Sequence, residues 1–209
     1  MRVRWEMVVG GLLWLVHGYL RFLTPHGTDV VWREGLGYSQ VVRVDLFVLY
    51  NLTGVAALLL TSGGTLRALS SLRTVRRGLV RAARIVALLA VLFSLGAAAG
   101  LVLLFDPLTT AGLDLGEPLL GVSLFLTGLA VVTDRDESGH PRWLGPLLIG
   151  MGALGLATLP LRPAIYAIGL VPLGAGTVAF ALFGAGWIVL GIGLRAIGTT
   201  AAHPTPPSA

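Results

Sequence analysis

The chain has 209 residues, of which 55% are hydrophobic and only 12% are charged, and its net charge is +5. A soluble domain usually has about 25% charged residues, so the composition excludes an ordinary soluble domain and indicates an integral membrane protein. The chain has no lysine and no cysteine, which excludes lysine Schiff bases, thiolate catalysis and disulfides. The exclusive use of arginine is typical of a GC-rich, prokaryotic genome.

Six mostly apolar stretches predict an all-α bundle of six transmembrane helices, since about 20 such residues cross a bilayer. In chain order they are 5–23, 41–61, 82–105, 118–132, 143–160 and 177–198. The first stretch contains His17 and Arg21 and is not followed by a small-x-small cleavage site, so we interpret it as an uncleaved span. We therefore expect one domain over 1–198 and a disordered cytoplasmic tail over 199–209, which is rich in proline, threonine and alanine.

The segment 161–176 is apolar, but prolines and glycines interrupt it. It is either a re-entrant piece, an interfacial piece, or an extension of the neighbouring helices, and the sequence leaves these alternatives open.

Arginine placement predicts the orientation, because cytoplasmic loops of membrane proteins carry an excess of positive charge. The connection 67–84 holds six arginines and no acidic residue. If this connection is cytoplasmic, counting the spans on either side of it places both termini in the cytoplasm. We therefore expect a multi-pass protein of the plasma membrane. The opposite side then receives five of the ten acidic residues, which are Asp29, Glu34, Asp106, Asp114 and Glu117, against Arg33 and Arg162.

Apolar residues also recur every three or four positions within 66–79, a spacing typical of an amphipathic helix lying on a membrane surface. A basic loop that fixes topology explains the arginines more simply, and we favour it. The arginines lie between two spans, so no nucleic-acid partner is expected.

Ionisable residues inside a span are costly and are therefore candidates for function. The predicted polar cluster on the first two helices consists of His17, Arg21, Arg43, Asp45 and Asn51. By the rise of an α-helix, His17 and Asp45 lie at similar depth below the outer surface, so they could meet. Such a pair would form an outward-facing pocket that binds a small ligand or moves a proton. Alternatively, the charged members pair at the interface and only tie two helices together.

No catalytic motif, metal-ligand spacing or cofactor site is recognisable. A haem between helices needs two axial histidines at matching depth, and only His17 lies within a predicted span. We therefore expect no cofactor, no metal and, on balance, no enzyme.

Three functions remain open. The first is a small accessory or structural membrane protein that binds a membrane-protein partner or a second copy of itself. The second is a small transporter or channel component that uses the polar cluster. The third is a membrane enzyme acting on lipid or quinone.

Overall fold

A computed structural model describes residues 4–22, 29–72, 76–134, 140–166, 169 and 172–200. The described residues form six helices and one β-hairpin, so the predicted all-α class is confirmed. The helices are α1 (Trp5–Phe22), α2 (Val44–Ser71), α3 (Arg77–Val102), α4 (Asp106–Thr133), α5 (Leu144–Tyr166) and α6 (Leu173–Thr200). The antiparallel strands are β1 (Val30–Arg33) and β2 (Tyr38–Val41), with Val30 opposite Val41.

Five of the described helices, α2 to α6, are long and apolar enough to cross a membrane. Helix α1 is not among them. It has only 18 residues, and it contains Glu6, His17 and Arg21.

Helix α4 begins twelve residues before the predicted span 118–132. Pro107 lies in its first turn, where the missing N–H costs nothing and the fixed φ suits a helix. Pro118, which we took as the helix start, lies buried inside α4. As a correction to the predicted external loop, Asp114 and Glu117 therefore lie within a helix.

The connection 67–84 is mostly helical, which is a second correction. Helix α2 continues to Ser71, and α3 begins at Arg77. Neither a long basic loop nor a separate surface helix is present over the described residues, because the apolar spacing of this segment belongs to the ends of two long helices.

Two further boundaries shift outward. Helix α5 continues to Tyr166 and α6 begins at Leu173, so the described ends of 161–176 extend the neighbouring helices. Helix α6 ends at Thr200, two residues beyond the predicted 198, and the rest of the predicted tail, 201–209, lies outside the described residues.

The bundle has two distinct ends. At the hairpin end, the Tyr38 ring of β2 contacts the Phe105 ring before α4, with centroids 5.5 Å apart. At the opposite end, which we call the arginine-rich end, Arg67 pairs with Glu6 at 3.4 Å, and the Arg4 N–H donates to the Gly191 carbonyl at 3.3 Å.

Helices α1, α2 and α6 form an aromatic half of the bundle. Helix α1 packs against both α2 and α6. The Trp14 ring stacks on Phe180 with centroids 5.4 Å apart, and its indole N–H donates to the Thr61 hydroxyl at 3.4 Å. Phe22, Phe183 and Trp187 continue this buried row of rings. Large rings therefore fill much of the space between these helices, although the backbones of α1 and α6 approach closely at Gly11 and Gly184.

Helices α3, α4 and α5 form a glycine half, in which backbones approach closely. A Cβ atom on Gly152 of α5 would lie 2.6 Å from the Phe125 nitrogen and 2.7 Å from the Gly121 oxygen of α4. A Cβ atom on Gly112 of α4 would lie 2.6 Å from Ala97 of α3. In lipid, the hydrophobic effect does not drive helices together, so their association depends on close packing. Small residues such as these glycines allow that packing.

Candidate functional site

His17 lies in the aromatic half and is only 1% exposed. Its Nδ1 lies 3.2 Å from the Tyr50 carbonyl oxygen of α2. A carbonyl only accepts, so Nδ1 carries a proton and donates to it. The ring also meets Trp14 and Phe180 edge-on, at centroid distances of 5.8 and 5.4 Å. His17 thus connects α1, α2 and α6.

Gly54 makes room for the His17 ring. A Cβ atom on Gly54 would lie 2.6 Å from Cε1 of His17 and 3.0 Å from its Nε2. Gly54 is one helical turn after Tyr50, so the hydrogen bond and the glycine contact lie on the same face of α2. The ring is therefore closely packed on the side that faces α2.

Asn51, another member of the predicted cluster, is buried, and its side chain bonds to the backbone of its own helix. Its amide nitrogen donates to the Phe47 carbonyl at 2.9 Å. This local bond satisfies one amide hydrogen within α2.

Arg43 and Asp45 form an exposed pair at the start of α2. Arg43 Nη2 lies 2.8 Å from Asp45 Oδ2, and Nε lies 3.1 Å from Oδ1. This bidentate bond raises the pKa of the Arg43 guanidinium. The Asp45 side chain is 65% exposed, in contrast to buried His17.

The structure thus brings Arg43 to Asp45 and brings His17 to the backbone of α2. It does not bring His17 to Asp45, since the imidazole faces Tyr50 and Gly54, more than one turn along the helix from Asp45. Arg21 lies half-buried in the last turn of α1.

A second polar cluster, which we did not predict from the sequence, joins α4 to α5. Its members are Arg162 of α5 and the two carboxylates of Asp114 and Glu117 on α4. Arg162 Nη2 donates to Glu117 Oε2 at 3.1 Å, and Nη1 pairs with Asp114. The guanidinium carbon also lies 6.0 Å from the centre of the Phe180 ring of α6, a favourable cation–π distance. We call these three charged residues the α4–α5 triad.

Within the α4–α5 triad, Glu117 is deep for a charged group, whereas the Asp114 side chain is 40% exposed. Glu117 is eleven residues into α4, about 16 Å along the axis, and its side chain is 1% exposed. Two carboxyl groups share the single guanidinium of Arg162. Glu117 Oε1 has no hydrogen-bond partner within the described part of the chain. A buried carboxylate needs its ion pair, because burial removes the water that would otherwise stabilise it.

One sequence signal could have identified the triad. Asp114 and Glu117 are three residues apart, which places both carboxylates on one face of a helix. We missed it because the predicted helix began at Pro118 and because Arg162 fell in the undecided segment 161–176.

The β-hairpin exposes apolar side chains to its surroundings. Trp32 is 62% exposed, and Val31 and Leu36 are also exposed. The backbone carbonyl of Asp29 accepts bonds from the N–H groups of Val42 and Arg43, which closes the base of the hairpin onto α2. The hairpin is thus fixed at its base and uncovered at its tip.

Within the described ranges, no three His, Asp or Glu side chains gather as metal ligands. No protein-family model, no curated protein and no solved structure matches this chain. Functional inference therefore depends on the geometry alone.

Proposed function

We propose that the chain is a six-span membrane protein with both termini in the cytoplasm that serves as a small accessory protein and binds a protein partner at its hairpin end. The orientation is supported by arginine distribution. The described arginines at the arginine-rich end outnumber those at the hairpin end, and a cytoplasmic location favours arginine. Helix α1 supplies the sixth span, since its buried His17 faces protein instead of lipid.

The orientation has a direct test, because the chain contains no cysteine. A single cysteine at Glu34, in the exposed hairpin turn, should react with a membrane-impermeant maleimide in intact cells. A single cysteine at Ser70, exposed near the end of α2, should react only after the membrane is permeabilised. The reverse pattern would contradict the proposed topology.

The observation that carries the accessory role is the exposed apolar tip of the hairpin. Exposed aromatic and aliphatic side chains on a polar turn are typical of a protein-binding surface, where tryptophan is enriched. A two-stranded sheet also leaves one edge of each strand unpaired, and such an edge can bind an extended segment of another chain. Isolated hairpins are only marginally stable in water, so a partner would also stabilise this one.

The predicted polar cluster gives less support to a transport role. Transport through it would require His17 and Asp45 to face a common space. His17 instead packs against Gly54 and Phe180, and Asp45 pairs with Arg43 near the surface. Helix packing therefore accounts for His17, and a surface ion pair accounts for Asp45.

Site-specific photo-crosslinking tests the partner. A benzophenone side chain at Trp32 should form a discrete polypeptide adduct in cells, with either another protein or a second copy of this chain. The same side chain at Leu92 of α3, which is also 62% exposed, is the matched control and should crosslink mainly to lipid. If Trp32 crosslinks only to lipid, as Leu92 does, the hairpin is a membrane-interface anchor and the proposal is wrong.

A transporter or channel component is the second candidate, and the α4–α5 triad is what favours it. Charged groups within a membrane-spanning helix often mark ion or proton pathways. In liposomes containing a pH-sensitive dye, this candidate predicts proton flux that Glu117→Gln abolishes while Asp45→Asn, an exposed carboxylate, preserves it. Equal flux from both variants would remove the triad from any such pathway.

A further inference from the structure

The arginine-rich end of α3 carries a groove of about 770 Å³ that is lined by three arginines and four apolar residues. Its lining residues are Leu72, Arg77, Val80, Arg81, Arg84, Ile85 and Leu88. Arg77, Arg81, Arg84 and Leu88 follow one another at intervals of four, three and four residues, so they share one face of the helix.

Among the described residues, acidic side chains do not balance the positive charges of this groove. Asp134, a nearby acidic residue within the described ranges, is bonded to Arg76. It accepts the Arg76 backbone N–H at 3.2 Å and pairs with the Arg76 side chain at 3.9 Å. Arg84 donates to the Leu69 carbonyl at 3.4 Å, a neutral acceptor. Arg77 and Arg81 have no acidic partner among the described residues. Three positive charges therefore remain together in the first two turns of α3.

This arrangement is unfavourable for the isolated protein. The N-terminus of a helix carries a partial positive charge and favours anions, yet the first turn of α3 contains no acidic residue. An external anion would relieve both the mutual repulsion of the arginines and their conflict with the helix dipole.

The apolar part of the groove indicates what carries that anion. Beyond Arg84, the same face continues with exposed Ile85, Leu88, Leu92 and Leu95. The three arginines span about 10 Å of the helix axis, and the apolar face begins directly below them. A cationic layer above an apolar track matches a phospholipid, whose phosphate lies above its acyl chains. A soluble phosphate compound would leave the apolar track unused.

We propose that this groove binds an anionic phospholipid, with its phosphate group on Arg77, Arg81 and Arg84 and an acyl chain along Ile85, Leu88 and Leu92. The site is separate from the hairpin and does not depend on the proposed partner. Basic pockets beside transmembrane helices at the cytoplasmic surface are known to bind anionic headgroups.

Native mass spectrometry of the full chain in mild detergent tests the proposal. The wild-type chain should retain phosphatidylglycerol in preference to phosphatidylcholine. The variant Arg77→Gln/Arg81→Gln should lose roughly 10- to 30-fold in phosphatidylglycerol affinity, since each arginine near an anionic lipid surface contributes about a five-fold preference. Both side chains are exposed, so this variant should remain folded.

The matched control is Arg33→Gln/Arg43→Gln, which removes the same charge from exposed sites at the hairpin end. It should leave phosphatidylglycerol binding unchanged. An equal loss of phosphatidylglycerol affinity in both variants would mean that only the net charge of the protein matters, and it would contradict the proposed lipid site. Equal retention of phosphatidylcholine and phosphatidylglycerol by the wild-type chain would also overturn it. Glycerol phosphate that binds as tightly as the lipid would identify a soluble anion as the ligand and refute the lipid.

Discussion

The two halves of the bundle bury polarity in opposite ways. The aromatic half holds a histidine, His17, which bonds to a backbone carbonyl and is enclosed by rings and a glycine. The glycine half buries the Glu117 carboxylate of α4, which pairs with Arg162 of α5. A neutral histidine that donates to a backbone carbonyl costs little free energy to bury. A buried ion is stable only while its counter-charge is present. The comparison teaches that α4, which is long and apolar enough to cross a membrane, contains the polar site that costs more to bury. Helix α1, which is not among those helices, contains the site that costs less.

Removing the α4–α5 ion pair should have the largest effect on stability. Arg162→Met leaves the Glu117 carboxylate buried without its counter-charge, and breaking a buried pair in this way costs about 3–5 kcal/mol. Equilibrium unfolding in mixed micelles measures the free energy of unfolding.

Two variants sharpen this result. Arg162→Met combined with Glu117→Gln should recover most of the loss, because no uncompensated charge then remains. Arg67→Met is the matched control: its side chain is 70% exposed in its pair with Glu6, and the change should cost about 0–1 kcal/mol. If Arg162→Met costs no more than Arg67→Met, the triad does not stabilise the bundle.

Close backbone packing in the glycine half gives the next effect. Gly152→Ala inserts a methyl group within 3 Å of the backbone of α4, which cannot move as a side chain can. We expect a loss of about 1–3 kcal/mol in the free energy of unfolding, as for other overpacked cores.

Gly150, two residues away on the same helix, is the control. A Cβ atom there has no neighbour within 4 Å among the described residues, and alanine favours a helix by about 1 kcal/mol over glycine. Gly150→Ala should therefore be neutral or stabilising. A similar loss from both substitutions would show that the helix spacing differs from the one described.

In the aromatic half, Gly54→Ala should cost about 1–3 kcal/mol, because its methyl group collides with the His17 ring. The same substitution in a His17→Ala background should cost almost nothing, since the ring is then absent. A Gly54→Ala penalty that persists without the imidazole would show that the ring lies elsewhere.

The smallest effect is expected at the surface. Asp45→Asn removes a charge that is 65% exposed and paired with Arg43, so the melting temperature in detergent should not change within error. A marked loss of stability would place Asp45 in the interior and would revive the predicted His17–Asp45 pocket.

Hydropathy alone predicted the all-α class, because apolar stretches of this length form helices in lipid. Of the six predicted spans, five correspond to described helices that are long and apolar enough to cross a membrane. Hydropathy placed the start of α4 too late, because Asp114 and Glu117 made the first part of this helix look too polar. Charged residues are tolerated inside a helix when a residue distant in the sequence, here Arg162, pairs with them. Arg162 lies 45 positions after Glu117, and no local pattern reveals that pairing.

The candidate site was predicted in part. Depth along each helix follows from residue spacing, and the structure places His17 within helix α1, inside the predicted first span. Rotation of one helix against another does not follow from spacing, which is why the sequence could not decide whether His17 faces Asp45 or the Tyr50 carbonyl. The β-hairpin was missed because a short alternating segment between two long helices reads as a loop.

Double-mutant cycles on two residue pairs test the central comparison most directly. For Glu117→Gln with Arg162→Met, we predict a coupling of about 2–3 kcal/mol in the free energy of unfolding, because the two side chains share one buried ion pair. For His17→Ala with Asp45→Asn, we predict no coupling beyond the experimental error, because the two side chains do not meet. Strong coupling between His17 and Asp45 together with independence of Glu117 and Arg162 would contradict this account.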